Sequence, residues 1–200
     1  MKKFTELSLS DYLNELSSVQ SIPGGGSASA YTATLAMGLT QMVGRISLQR
    51  KPKAGLSPEE QKKDSERRET IQKIVDSLEK VKKDALQIVD LDPQVYQEVM
   101  QSPPEKMEDA LENSFRLQAD LAFLVVMGKE WNENLSGLVS GSIKNDLLVS
   151  ASLSEAAFHG AYHTAMINVQ YMKNTERKAK AEKALQELKS RFEGKVHARS

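Results

Sequence analysis

Residues 71–88 read Ile71-Gln72-Lys73-Ile74-Val75-Asp76-Ser77-Leu78-Glu79-Lys80-Val81-Lys82-Lys83-Asp84-Ala85-Leu86-Gln87-Ile88. Within them Ile71, Ile74, Leu78, Val81, Ala85 and Ile88 alternate spacings of three and four, the seam of a long helix that packs at a shallow angle in a bundle. Charged residues occupy most positions between, so the helix offers a partner one apolar stripe and leaves the rest to water. Ser57 caps this helix, which is predicted to reach about Val89. Pro93 then restarts or kinks it, with Asp90 and Asp92 at the break.

Working outward, a first helix opens at Ser8, whose hydroxyl accepts the amide of Asp11, and ends near Val19. Pro23-Gly24-Gly25-Gly26 stops regular structure, and an alanine-rich helix runs from Ser27 to about Gln49. Tyr31, Leu35, Leu39, Met42 and Ile46 recur along it at helical spacing. With Ala28, Ala30, Ala33, Ala36 and Gly38 interleaved, it reads as a central, heavily buried helix whose large stripe belongs to the core. Pro103 and Pro104 open a helix reaching about Trp131, and a Ser140-Gly141-Ser142 loop leads to one from about Asn145 to Tyr171. A charged C-terminal helix within 173–200 carries Ala181, Leu185, Leu188 and Phe192 on one stripe. No segment alternates with the two-residue period of a strand. The expected fold is all-α, an antiparallel bundle of long helices without a sheet, in a single domain over 1–200.

Cysteine is absent, which removes disulfides, thiolate metal sites and a cysteine nucleophile. No run of eighteen apolar residues suggests a membrane span, and the N-terminus lacks a secretory pattern, so the expected location is the cytoplasm. Net charge is zero, yet 84–133 holds eleven acidic and three basic residues, and 173–199 nine basic and four acidic. The basic tail sits in a helical pattern with acids and almost no aromatic residues, which reads as solvated helix faces and not as a nucleic-acid surface.

Three features are candidates for chemistry. The glycine run lets the backbone reach φ > 0 and approach a ligand, and the helix that follows presents free amides to an anion; a tight interhelical turn is the alternative. Neither a Walker A sequence nor a preceding strand is present. Asp92, with Tyr96 one turn on, and Lys144-Asn145-Asp146 put carboxylates at helix ends, where they serve as general acid or base or merely as caps. Glu155, His159 and His163 share a helical face at spacings of four, a metal-ligating pattern that lacks a matching Glu-x-x-His on a second helix, so no metal is expected.

Ser8-Leu9-Ser10-Asp11-Tyr12-Leu13 followed by Ile22-Pro23-Gly24-Gly25-Gly26-Ser27-Ala28-Ser29-Ala30 resembles the opening of the formiminotetrahydrofolate cyclodeaminase and methenyltetrahydrofolate cyclohydrolase family. Met42-Val43-Gly44-Arg45, the segment from Asp92 to Tyr96, Asn145-Asp146, Gly160-Ala161-Tyr162 and Ile167-Asn168-Val169 extend the likeness over nearly the whole chain. The resemblance implies a homodimer of antiparallel helices, with a tetrahydrofolate derivative as substrate in a cleft near the glycines and the dimer interface. No permanently bound cofactor is implied. By the same resemblance Gly24, Gly25, Gly26 and Ser27 hold the substrate, Asp146 or Asp92 is the acid/base, Tyr96 and Asn145 orient, and Arg45 and Lys51 meet folate carboxylates. The chain departs from the family in carrying Asn145 where a serine is usual, and in lacking a proline around Ala119 to Leu121. A folate-binding or scaffold protein of the same fold that has lost catalysis is the alternative reading.

Overall fold

The computed structural model describes residues 3–52 and 55–194. Among them a 3-10 turn, Phe4–Glu6, precedes six helices: α1 (Leu9–Leu16), α2 (Gly25–Gln49), α3 (Pro58–Gln101), α4 (Met107–Leu138), α5 (Lys144–Tyr171) and α6 (Thr175–Phe192). Among the described residues there is no strand. Residues 195–200 of the expected C-terminal segment lie outside the described residues.

The helix starts follow local chemistry. Ser8 accepts the Asp11 amide, Ser57 and Glu60 form a reciprocal capping box at α3, and the Asn174 side chain accepts two amides at α6. All six seam residues from Ile71 to Ile88 are buried. Helices α2 to α5 form a four-helix arrangement in which α2 packs on α3 and α5, and α4 packs on the same two. Neighbours run antiparallel: Ser27 meets Val89 while Gln41 meets Val75, and Gly160 abuts Ser29 while Ser150 bonds Thr40. A second apolar cluster of Leu111, Phe115, Ala165, Val169, Met172, Ala181 and Leu185 fixes α6 to α4 and α5.

Several sequence expectations are corrected here. Helix α1 stops at Leu16 instead of Val19, α2 begins at Gly25 instead of Ser27, and α4 continues to Leu138, beyond Trp131. Pro93 does not interrupt α3, which runs through it to Gln101. Proline removes the amide that would bond the carbonyl four residues back, here that of Val89. The Ser27 hydroxyl donates to that carbonyl at 3.0 Å, so the orphaned acceptor is satisfied and the helix continues.

The expectation for α2 holds in part: the helix is heavily buried and Tyr31 of its large stripe packs against the core, but most of that stripe does not. Its small residues, Ala30, Ala33 and Ala36, point into the bundle, whereas Leu35 (59% exposed), Met42 (37%) and Ile46 (37%) lie outside. Small side chains let α2 approach α3 and α5 closely, and this displaces the large stripe to the surface.

Candidate active site

Helices α2, α3 and α4 meet closely where α2 begins. A Cβ on Gly26 would lie 2.6 Å from Asp92 Cγ and closer still to Asp92 Oδ1 and Gln118 Nε2. Only glycine fits there. The glycines do not use positive φ: among the described residues that conformation belongs to Gly55, Gly141 and Gly194. Gly26 thus serves close packing inward, against a carboxylate of its own chain, and the expected φ > 0 is replaced by ordinary helical backbone.

Asp92 is 7% exposed. Its Oδ2 accepts the Ser27 amide at 2.9 Å, and its Oδ1 accepts Gln118 Nε2 at 2.7 Å. Burial pushes its pKa above the ordinary carboxylate value, and the bonds from Ser27 and Gln118 pull it back in part. Ser27 is fully buried; its hydroxyl bonds Val89 and lies 3.2 Å from the Tyr12 phenol. The phenol of Tyr12 is itself raised, chiefly by burial.

Asp92 stands in the wall of a cavity of about 660 Å³ between the start of α2, the end of α3, the start of α4 and the end of α5. Gly24, Gly25 and Gly26 form one edge. Ile22, Val99, Met100, Met107, Leu111 and Ile167 make most of it apolar, with Tyr96 and Tyr171 as aromatic walls. Polar groups are few: Ser21, Ser114, Thr164 and Asn168, with Lys173 as its cation. A pocket of this size, apolar with few polar groups and a shifted carboxyl, suits a flat organic molecule that exchanges a proton.

Residues 8–187 match the formiminotransferase-cyclodeaminase family. The chain belongs to that family. The fold is shared with formiminotetrahydrofolate cyclodeaminase from Thermotoga maritima, with a TM-score of 0.84 over 94% of this chain and 91% of that one at 20% identity. No curated protein matches it by sequence.

In this formiminotransferase-cyclodeaminase member the sequence-predicted residues divide into two groups. Gly24, Gly25, Gly26, Asp92 and Tyr96 meet at the cavity, with Ser27 behind them holding Asp92. Asn145 and Asp146 lie at the opposite end of α5, eighteen residues before Thr164, roughly 27 Å at 1.5 Å per residue. Arg45 and Lys51 lie at that same far end. Arg45 pairs with Glu79 at 3.0 Å, whose carboxyl is lowered to about 2 by hydrogen bonds from Gln41 and Lys82, with Arg45 adding to the effect. Lys51 lines a separate cleft of about 490 Å³ beside Arg50, Lys63 and Arg67.

His159 sits edge-on to Phe158 and Phe192. Among the described residues no group of three or more His, Asp or Glu side chains is close enough to hold a metal, and no helix is long and apolar enough to cross a membrane. Sequence reading missed Gln118, Ser114, Thr164, Asn168 and Lys173. For Gln118 a signal existed, because it occupies an apolar position in the stripe Leu111, Phe115, Ala122 and Val125, where an amide needs a buried partner.

Proposed function

We propose that the chain is a folate one-carbon enzyme acting on the carbon that bridges N5 and N10, with 5-formiminotetrahydrofolate cyclodeaminase as its reaction. The observation that carries this reading is Asp92, a buried carboxyl with a raised pKa in the wall of an apolar cavity, in a chain of the formiminotransferase-cyclodeaminase family. The pterin and aminobenzoyl rings suit Tyr96, Met100, Leu111 and Ile167, while Gly24 and Gly25 let the substrate approach backbone.

N10 attacks the carbon of the formimino group, whose nitrogen is protonated; the N10–C bond forms, the C=N double bond becomes single with its electron pair on that nitrogen, and the carbon becomes tetrahedral. Asp92 takes the proton from N10 and delivers it to the amino group, whereupon the C–N bond breaks and ammonia leaves with 5,10-methenyltetrahydrofolate. One proton is moved and none is consumed, so one carboxyl suffices. Burial favours the protonated form, and the bonds from Ser27 and Gln118 favour the ionised one.

Absorbance of the methenyl chromophore tests the reading. Growth of that signal from 5-formiminotetrahydrofolate, above the uncatalysed rate, is expected. Loss of the signal from added 5,10-methenyltetrahydrofolate, with no formimino turnover, would instead assign the cyclohydrolase reaction, in which water attacks the same carbon. Binding of folate without either change would assign the non-catalytic reading.

Lys173 at the rim takes the role of partner for folate carboxylates within one copy. Its replacement by alanine is expected to raise KM roughly two- to fivefold with kcat unchanged, the effect of an exposed ion pair, and the difference should shrink as salt is added. Equal KM values at low salt would remove Lys173 from binding.

The enzyme is further proposed to act as a homodimer through the outer face of α2 and the adjoining stripe of α5. The support is the exposure of large apolar side chains, Leu35, Met42 and Ile46 on α2 and Val149 on α5, of the kind that marks an interface. Antiparallel pairing of α2 with its copy would bring the C-terminal end of the helix, roughly 36 Å from its start, nearest the glycine run of the other copy. In that arrangement Arg45, Lys51, Asn145 and Asp146, distant from Asp92 within one copy, would serve the second copy's cavity. Leu35→Glu combined with Met42→Glu is expected to give a monomer by light scattering and to weaken folate binding more than tenfold. An unchanged dimer mass in the double variant, or a monomeric wild type, would overturn it.

A further inference from the structure

Gln118 is fully buried in the middle of α4, where its neighbours in the stripe are apolar. Its Nε2 donates to Asp92 Oδ1 at 2.7 Å. Its Oε1 is buried and, among the described residues, has no hydrogen-bond partner. A buried amide oxygen without a partner is costly, and such a group in a native core calls for an account of what it accepts from.

The geometry around Asp92 supplies one. Oδ2 faces the Ser27 amide, a fixed backbone donor that cannot accept a proton. Oδ1 faces Gln118, and an amide presents either a donor or an acceptor according to which way it is turned about its last bond. When Asp92 is ionised, Nε2 facing Oδ1 is the matched arrangement, and Oε1 is left over. Once Asp92 carries a proton on Oδ1, two hydrogens would meet in that arrangement; turning the amide over brings Oε1 to accept from the carboxyl.

We infer that Gln118 is a positioning residue for Asp92 whose amide has two orientations, Nε2 donating to the ionised carboxyl and Oε1 accepting from the protonated one, so that Asp92 keeps its direction through both halves of a proton transfer. The inference rests on the reading of Asp92 as the acid/base. The other groups around Asp92 do not substitute for Gln118. Thr164 and Asn168 from α5 and Ser114 from α4 are uncharged, Tyr12 from α1 has a phenol raised by burial, Tyr96 follows one turn on, and Lys173 stands at the cavity rim. Asp90 on the same helix is bonded to the Phe4 and Thr5 amides.

Carbon-13 and nitrogen-15 NMR of the full chain, titrated over pH, tests this without any need for turnover. In the wild type the Gln118 side-chain amide resonances are expected to move with the same midpoint as the Asp92 carboxyl carbon. In Asp92→Asn they are expected to be independent of pH. Gln118→Met keeps the length and removes donor and acceptor together. A bond to an ionised group is the stronger of the two, so ionised Asp92 loses more than protonated Asp92. The Asp92 midpoint then rises by roughly half to one pH unit, a three- to tenfold change in its proton equilibrium, and the acid limb of kcat moves upward with it.

Amide resonances that stay constant through the wild-type Asp92 titration would overturn the inference, as would an unchanged Asp92 midpoint in folded Gln118→Met. If that variant does not fold, the wild-type and Asp92→Asn titrations decide alone. Absence of folate turnover in the wild type counts against the proposed function, while the paired titration still judges Gln118.

Discussion

Asp92→Asn is expected to lower turnover of 5-formiminotetrahydrofolate by about 10²–10⁴-fold, the range of a lost general acid/base, while the protein melts at pH 7 no lower than wild type. The amide retains an oxygen for the Ser27 N–H and offers an NH₂ to the otherwise unpaired Gln118 Oε1 once that side chain turns over. The replacement therefore keeps the packing and removes the proton exchange.

The stability half of this result follows from linkage. Burial raises the Asp92 pKa above its ordinary 3.8, so the folded state holds the proton more tightly than the unfolded state. Between 3.8 and the folded value the native protein binds more protons, and stability falls as pH rises through that window. Above it the ionised carboxyl carries the whole penalty, and below 3.8 none. Thermal unfolding at pH 3.5 and pH 7 should therefore show the variant gaining on wild type at the higher pH. Wild-type turnover in folded Asp92→Asn would take the chemistry away from Asp92.

Gly26→Ala is expected to cost about 1–3 kcal/mol of stability and at least tenfold in kcat, although alanine is ordinarily the better helix former by about 0.5–1 kcal/mol. The added Cβ overlaps the Asp92 carboxyl and the Gln118 amide, and relief of the overlap breaks the bonds that aim Asp92. Gly25→Ala is the contrast. A Cβ there meets Thr164 Oγ1 at 3.8 Å, an ordinary contact, so stability should change by less than about 1 kcal/mol, and because the bonds to Asp92 stay intact the effect on activity should fall on KM, where substrate approaches the Gly25 backbone, and not on kcat. Thermal melts and initial rates on the pair check the ordering. Equal losses at the two positions would show that the run is needed as a turn and not for its contact with Asp92.

The helices were legible wherever one residue type decides the local backbone or one stripe decides burial. The Ser8 and Ser57 caps and the seam from Ile71 to Ile88 behave as their spacing demands. Pro93 misled because its effect depends on whether a donor reaches the Val89 carbonyl, and that donor, Ser27, is 62 residues away. The stripe of Leu35, Met42 and Ile46 misled for a related reason: periodicity finds an apolar face without saying what covers it, and on α2 the small residues claim the interior.

In the candidate site, the parts legible in advance were the local ones. The sequence supplied the glycine run, the carboxyl one residue before a proline, the aromatic ring one turn later, and a family resemblance from end to end. Tertiary structure alone decided that Gly26, Asp92 and Gln118 converge, and that Asp146 and Arg45 lie at the far end of the bundle from them. The reason is physical. Helical spacing fixes neighbours within a turn or two, whereas three antiparallel helices bring together residues 26 to 92 positions apart, and the depth of that contact depends on a missing Cβ and a single buried amide.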